Sequence, residues 1–116
     1  MFGLSKGTTT EALVKLVQGK KWDKIKKNYL NADPETKTRL AEACAMSVSD
    51  DSSNILMALL DSPEDEVKSA ALKSLTKVGN DHCVSRIQQI MMTVPSDKTA
   101  LRSEFQNALQ VLRGKQ

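Results

Sequence analysis

Apolar side chains recur along this chain at a spacing of about 30 residues. Ile25, Leu56 and Ile87 follow one another at intervals of 31. The same interval separates the members of a second series, Tyr29, Leu60 and Met91. Self-similarity with a period of 20 to 50 residues is typical of stacked structural repeats. Within each period the apolar residues return every three or four positions, as on one face of an α helix, so each unit is expected to be a helical hairpin that buries its apolar stripe against its neighbours.

The pattern predicts seven helices, and polar or glycine residues mark several of their ends. The first helix is expected to begin at Thr8, which could form a capping box with Glu11 three residues later. Asp33-Pro34 predicts the start of the third helix, with Asp33 as the N-cap and proline in the first helical position. Ser62-Pro63 repeats that pattern for the fifth helix, and Gly79 suits a left-handed residue just beyond its end.

The expected core faces follow from the same periodicity. Each helix carries a stripe of Leu, Ile, Val, Met, Ala or Cys residues, with few aromatic residues among them. The third helix is expected to bury Leu40, Ala41, Cys44 and Val48, and the fourth Ile55, Leu56, Leu59 and Leu60. The seventh helix is expected to bury Leu101, Phe105, Ala108, Leu109 and Leu112, while Trp22 and Tyr29 are interpreted as core residues of the second.

Composition supports a single globular, all-α domain spanning residues 1–116. The chain is 40% hydrophobic and 27% charged, which separates it from disordered proteins. Five glycines and three prolines are too few for the many turns of a β sandwich or barrel. The first residues lack the features of a secretory signal, so we expect a cytoplasmic protein in which Cys44 and Cys83 are reduced core thiols.

The third unit carries the most specific sequence pattern. An acidic residue and proline precede Val67-Lys68, paired alanines precede Leu72, and Gly79 lies in the turn. This stretch, residues 61–81, resembles the first helix and turn of a HEAT repeat. Residues 33–60 are similar but degenerate, with Thr38-Arg39 at the place of the valine-basic pair. Residues 96–113 resemble a lone first helix, and residues 8–31 match mainly by periodicity.

The resemblance implies a right-handed α-solenoid of about three and a half HEAT-like repeats, with units at about 8–31, 33–61, 62–93 and 96–113. In that family the second helices of successive units line a concave surface that commonly binds proteins. Carried over to this sequence, the resemblance implies a second-helix row formed by Lys24, Lys27, Asn54, Met57, Arg86 and Gln89. It therefore implies a non-enzymatic adaptor or scaffold that binds a protein or peptide, with Met57 as an exposed, adaptable apolar contact.

Charge distribution supports an alternative binding mode. Residues 1–30 contain seven lysines and two acidic residues, a net charge of +5, whereas the remaining ten basic and twelve acidic residues give −2. Lys20, Lys24 and Lys27 share the helix face opposite Trp22. The candidate contacts for nucleic acid or another polyanion are Lys20, Lys21, Lys24 and Lys27. A solvated lysine face without a ligand is the other interpretation of this pattern.

Sequence motifs for catalysis or cofactor binding do not occur. The chain has no glycine-rich phosphate loop, nucleophile elbow or His-Glu-x-x-His motif. Its single histidine, His82, is interpreted as an exposed residue of a cap or turn, and it has no second ligand at metal-binding spacing. We therefore expect no enzyme, no cofactor, no metal and no membrane segment. Because the last unit lacks a second helix, its Leu and Phe side chains could also support weak self-association.

Overall fold

The computed structural model describes residues 9–115, and within that range it contains seven α helices and no β strand. The all-α prediction is confirmed. A short 3₁₀ helix, Asp81–Cys83, precedes the sixth α helix. In chain order the helices are α1 (Thr10–Gln18), α2 (Trp22–Asn28), α3 (Pro34–Cys44), α4 (Asp50–Leu60), α5 (Asp65–Val78), α6 (Val84–Met91) and α7 (Thr99–Arg113).

Side-chain caps start three of the helices. Thr9 is the N-cap of α1 and accepts a hydrogen bond from the backbone N–H of Ala12 at 3.1 Å. The expected cap at Thr8 lies outside the described residues. Asp33 caps α3 by accepting from the backbone N–H of Thr36, with Pro34 in the first turn, which confirms that prediction. Ser49 caps α4 in the same way.

The predicted start of α5 at Ser62-Pro63 is wrong. The helix begins at Asp65, and its N-cap residue, Glu64, makes no side-chain cap bond. The Ser62 hydroxyl instead accepts a hydrogen bond from Lys37 Nζ at 2.7 Å and donates one to the Glu64 carboxylate. The Ser62 hydroxyl is therefore bonded to a side chain of α3 and does not cap α5.

Gly79 does not have the left-handed conformation that its place after α5 suggested. Its φ of −78° is available to any L-residue. A Cβ at this position would instead lie 2.8 Å from the carbonyl oxygen of Leu75, so the glycine is needed for close packing. Among the non-glycine residues of the described range, the left-handed one is Lys20, with φ of 58°, at the end of α1.

The first helices of the units contact one another in sequence order, α1 with α3, α3 with α5, and α5 with α7. The second helices α4 and α6 pack mainly on the first helix of the following unit. α4 packs more extensively on α5 than on α3, and α6 packs on α7 and α4 rather than on α5. α2 differs, because its main packing partner is α1. The units beyond α2 are therefore joined through both of their helices.

Burial repeats at a spacing of 31 residues, in agreement with the apolar series. Ile25, Leu56 and Ile87 are all fully buried. Six buried positions of α3 recur in α5 at this spacing: Thr36, Lys37, Leu40, Ala41, Ala43 and Cys44 correspond to Val67, Lys68, Ala71, Leu72, Ser74 and Leu75. The counterpart of Lys68 is therefore Lys37, not Arg39 as the sequence alignment suggested.

The core faces are otherwise close to those predicted. The four apolar residues of α4 and the five of α7 are all buried, as are both cysteines. Trp22, Tyr29 and Met91 are half-buried against the core. The prediction that Val48 is buried on α3 is wrong. The helix ends at Cys44, and Val48 lies in the following connection with 80% of its surface exposed.

Candidate functional site

The chemistry of the buried thiols and the histidine is that of structural residues. Burial raises the pKa of the Cys44 thiol to about 11, which keeps it protonated and unreactive near neutral pH. His82 is exposed in the 3₁₀ turn, as expected, and its backbone N–H donates to the Asn80 side chain. Among residues 9–115 no group of three or more His, Cys, Asp or Glu side chains could hold a metal ion.

The outer faces of α4 and α6 form one candidate binding surface. Asn54, Arg86 and Gln89 are exposed there, as the second-helix row requires. Met57 is not fully exposed but half-buried, because part of its side chain packs against the core. Arg86 forms an ion pair with Asp61 at 3.6 Å, in which both side chains stay about half exposed. This pair connects the end of α4 to α6.

A groove of about 370 Å³ lies beside this surface, between α4 and the 3₁₀ turn that precedes α6. Met57 and Asn54 contribute one wall, and the 3₁₀ turn contributes the other. Its lining residues are Asp50, Ser53, Asn54, Met57, Asn80, His82 and Cys83. The groove therefore places a thioether beside amide and carboxylate groups.

The other two members of the second-helix row, Lys24 and Lys27, lie on α2. Both are exposed. The repeat spacing of 31 places Lys27 at the position of Ala58 in α4 and of Gln89 in α6, whereas Lys24 corresponds to the buried Ile55. α4 and α6, which carry the other four row residues, contact each other, whereas α2 packs mainly on α1.

The second candidate surface is a lysine cluster on α2 and the turn before it, formed by Lys20, Lys21, Lys24, Lys26 and Lys27. All five side chains are exposed. Within the described part of the chain, none of them has an ion pair or a side-chain hydrogen bond. The single acidic residue in this stretch is Asp23. The cluster is therefore an unneutralised positive patch.

Cations elsewhere hold helices together, a use that the sequence analysis did not find. Lys68 on α5 donates to the carbonyl oxygen of Leu60 at the end of α4, at 3.0 Å. Arg102 on α7 donates to the carbonyl oxygens of Met91 and Val94 at the end of α6. In the sequence, these contacts are indicated only by a basic residue near the start of α5 and of α7. Basic residues at such positions are usually solvated, so the pattern does not predict the contacts.

The last cation of this kind comes from the chain's C-terminal end. Lys115 Nζ donates to the carbonyl oxygens of Thr76, Lys77 and Gly79 at the end of α5, the shortest bond being 2.7 Å. Free carbonyl groups and the negative end of the helix dipole attract a cation to this position. Lys115 therefore caps the C-terminal end of α5.

Burial and hydrogen bonding shift the pKa values of two groups in these contacts. The Ser62 hydroxyl and then the Lys37 ammonium hold the pKa of the Glu64 carboxyl below its usual range. Lys37 Nζ lies 2.9 Å from the Glu64 carboxylate. Burial lowers the pKa of Lys68. The contact of Lys37 with Glu64 and that of Lys68 with Leu60 each connect one helix to the end or cap of another, and both stabilise the fold.

Comparison of the chain with known proteins found no matching family model, no matching curated protein and no matching solved structure. No helix among the described residues is both long enough and apolar enough to cross a membrane.

Proposed function

We propose that this chain is a non-enzymatic protein-interaction module built as a right-handed, HEAT-like α-solenoid. Two findings support the architecture. The first helices contact one another in sequence order, and six buried positions of α3 recur in α5 at a spacing of 31 residues. Repeated units of this kind create extended surfaces, and such surfaces are used to bind other proteins.

The observation that carries the binding function is the groove between α4 and the 3₁₀ turn. It combines a half-buried methionine, Met57, with the amide groups of Asn54 and Asn80, and the exposed Arg86 lies on α6, the helix that follows the turn. Methionine adapts its shape to different apolar partners, and both Met and Arg are enriched in protein interfaces. A peptide or helix from a partner protein could place an apolar side chain against Met57 and bond to the amides around it.

The test begins with capture of the partner on the immobilised chain from an extract of the source cells, with identification by mass spectrometry. The dissociation constant of the purified partner is then measured for Asn54→Arg and Arg86→Ala, which change exposed side chains and leave the core intact. Each variant is expected to weaken binding about tenfold or more, with little effect of added salt.

Lys73→Ala provides a matched control, because Lys73 is exposed on α5, away from the groove. This variant is expected to bind like the wild type. Unchanged affinity in both Asn54→Arg and Arg86→Ala, or an equal loss in the control, contradicts the assignment of this surface.

A cytoplasmic location is part of the proposal, supported by the two free and buried cysteines, Cys44 and Cys83, which need no oxidising compartment. Weak self-association stays a prediction with less support than the sequence suggested. Leu101, Phe105 and Leu109 are buried within the chain.

A further inference from the structure

The lysine cluster (Lys20, Lys21, Lys24, Lys26 and Lys27) is a group of exposed basic side chains on α2 and the turn before it. Several cations of the later helices bond to carboxylates or to backbone carbonyl oxygens of a neighbouring helix. The cluster lysines make no such bond within residues 9–115. Five lysines within eight residues give this segment a high local positive charge, which is suited to an anionic ligand.

The packing of α2 argues against a protein or membrane partner at this surface. Ile25 is fully buried, and Trp22 and Tyr29 are half-buried against the core, so the apolar side of α2 faces inwards. Protein interfaces usually have an apolar or aromatic centre and are depleted in lysine. Stable binding of a helix to a membrane surface combines electrostatic attraction to anionic lipids with an apolar helix face that enters the lipid. The exposed side of α2 offers neither an apolar centre nor an apolar face.

The chemistry of the cluster fits the phosphate backbone of a duplex. Lys24 and Lys27 are separated by about 4.5 Å along the helix axis, and each strand of a B-DNA duplex carries one charge per about 3.4 Å of its own axis. Long lysine side chains can bridge that difference. Lysine acts as a point charge, without the fork geometry that arginine uses to recognise bases. Stacking on unpaired bases needs exposed aromatic rings, which the described part of α2 does not offer.

We propose that the lysine cluster binds the phosphate backbone of duplex nucleic acid without sequence preference. This surface is distinct from the groove between α4 and the 3₁₀ turn, because none of the residues that line the groove belongs to α2 or to the turn before it. The proposal therefore does not depend on the protein-binding function, and the chain could bring a protein partner to nucleic acid.

The experiment measures fluorescence anisotropy of two labelled 20-base-pair duplexes of unrelated sequence, at 50 and 200 mM salt. The test variant replaces Lys20, Lys24 and Lys27 with glutamine. The control variant replaces Lys73, Lys77 and Arg113 with glutamine, which removes the same charge from exposed residues of α5 and α7. Circular dichroism verifies that both variants are folded.

Wild-type protein is expected to bind both duplexes with equal affinity. The test variant should lose at least tenfold in affinity, and the slope of log affinity against log salt should fall by about 2.7, since each phosphate contact contributes about 0.9. The control should lose less than threefold.

Three results overturn the proposal. The first is no binding of wild-type protein to either duplex at 50 mM salt, and the second is an equal loss of affinity in the two variants. The third comes from competition, in which polyglutamate or phosphatidylserine vesicles displace the duplex as well as unlabelled duplex does at equal charge concentration.

Discussion

Lys20 occupies a backbone conformation that side chains with a Cβ avoid. Its N–H bonds to the carbonyl oxygen of Val17, and the N–H of Lys21 bonds to that of Leu16, which together form the Schellman motif at the end of α1. The motif requires a left-handed residue at position 20, and glycine adopts that conformation without the steric cost that lysine has. Gly19 is the C-cap of α1, and the strained residue comes one position after this glycine.

Replacing Lys20 with glycine is expected to stabilise the protein by about 0.5 to 1 kcal/mol, because the relief of left-handed strain exceeds the greater freedom of glycine in the unfolded chain. The free energy of unfolding in urea measures this. Lys20→Ala removes the same charge but keeps a Cβ, so it should give no gain. Equal stabilities of the two variants would show that charge, not conformation, is responsible.

Glu64 provides a second residue-scale prediction, which concerns pH. Its pKa is lowered in the folded state by the Ser62 hydroxyl and Lys37, so the contribution of Glu64 to stability is complete above the ordinary glutamate pKa of about 4.3. That contribution is lost as pH falls through the lowered pKa of the folded state. Glu64→Gln removes this pH-dependent contribution.

The difference in unfolding free energy between wild type and Glu64→Gln is therefore expected to be largest at pH 6 to 7 and to shrink as pH falls from about 5 to 3. Urea unfolding at a series of pH values measures it. Glu42→Gln is the control, since Glu42 is exposed on α3, and it should keep the pH profile of the wild type. A difference that stays constant with pH contradicts the assigned role of Glu64.

At the scale of helices, cations connect the ends of two second helices, α4 and α6, to the next first helix. Lys68 does this between α5 and α4, and Arg102 between α7 and α6. Lys37, the counterpart of Lys68 in α3, bonds instead to Ser62 and Glu64 in the loop before α5.

Replacing Arg102 with methionine is expected to lower the free energy of unfolding by about 2 kcal/mol, since hydrogen bonds from charged donors are worth roughly 1.5 to 3 kcal/mol. The carbonyl oxygens of Met91 and Val94 would lose this donor. Arg113→Met is the matched control, because Arg113 is exposed at the end of the same helix. Equal effects of the two substitutions would assign the loss to net charge or helix propensity.

At the scale of the whole molecule, a single core extends from α1 to α7. It includes Leu13 at one end and Phe105 at the other, both with no exposed surface. The radius of gyration is 13.8 Å, close to the roughly 13 Å of a compact domain of about 100 residues. A continuous core of this size should unfold in one cooperative transition.

Phe105→Ala tests this cooperativity, because the only tryptophan, Trp22, lies in α2, far from α7 in the chain. Loss of the buried ring is expected to cost about 3 to 5 kcal/mol. The transitions followed by Trp22 fluorescence and by circular dichroism should move together to lower urea concentration. Gln106→Ala, on the exposed side of α7, should leave both near the wild-type position. A fluorescence transition that stays at the wild-type midpoint would show that the two ends unfold separately.

The sequence by itself determined the seven helices, most of their buried faces and the 31-residue period. These features depend on apolar residues that recur every three or four positions within one helix, so they are encoded locally. It also located the lysine cluster and the exposed side chains of α4 and α6. The lack of ion pairs around the lysines depends on the fold and is visible in the structure alone.

The tertiary structure alone decided how polar and small residues are used. Ser62-Pro63 has the sequence pattern of a helix cap, but the Ser62 hydroxyl accepts a hydrogen bond from Lys37, 25 residues away in the chain. Gly79 is required by the approach of Leu75 and not by its own φ angle. The packing of α2 mainly on α1, and of α4 on α5 and α3, also follows from contacts between helices. Such contacts join residues that are distant in the chain, and no local pattern specifies them.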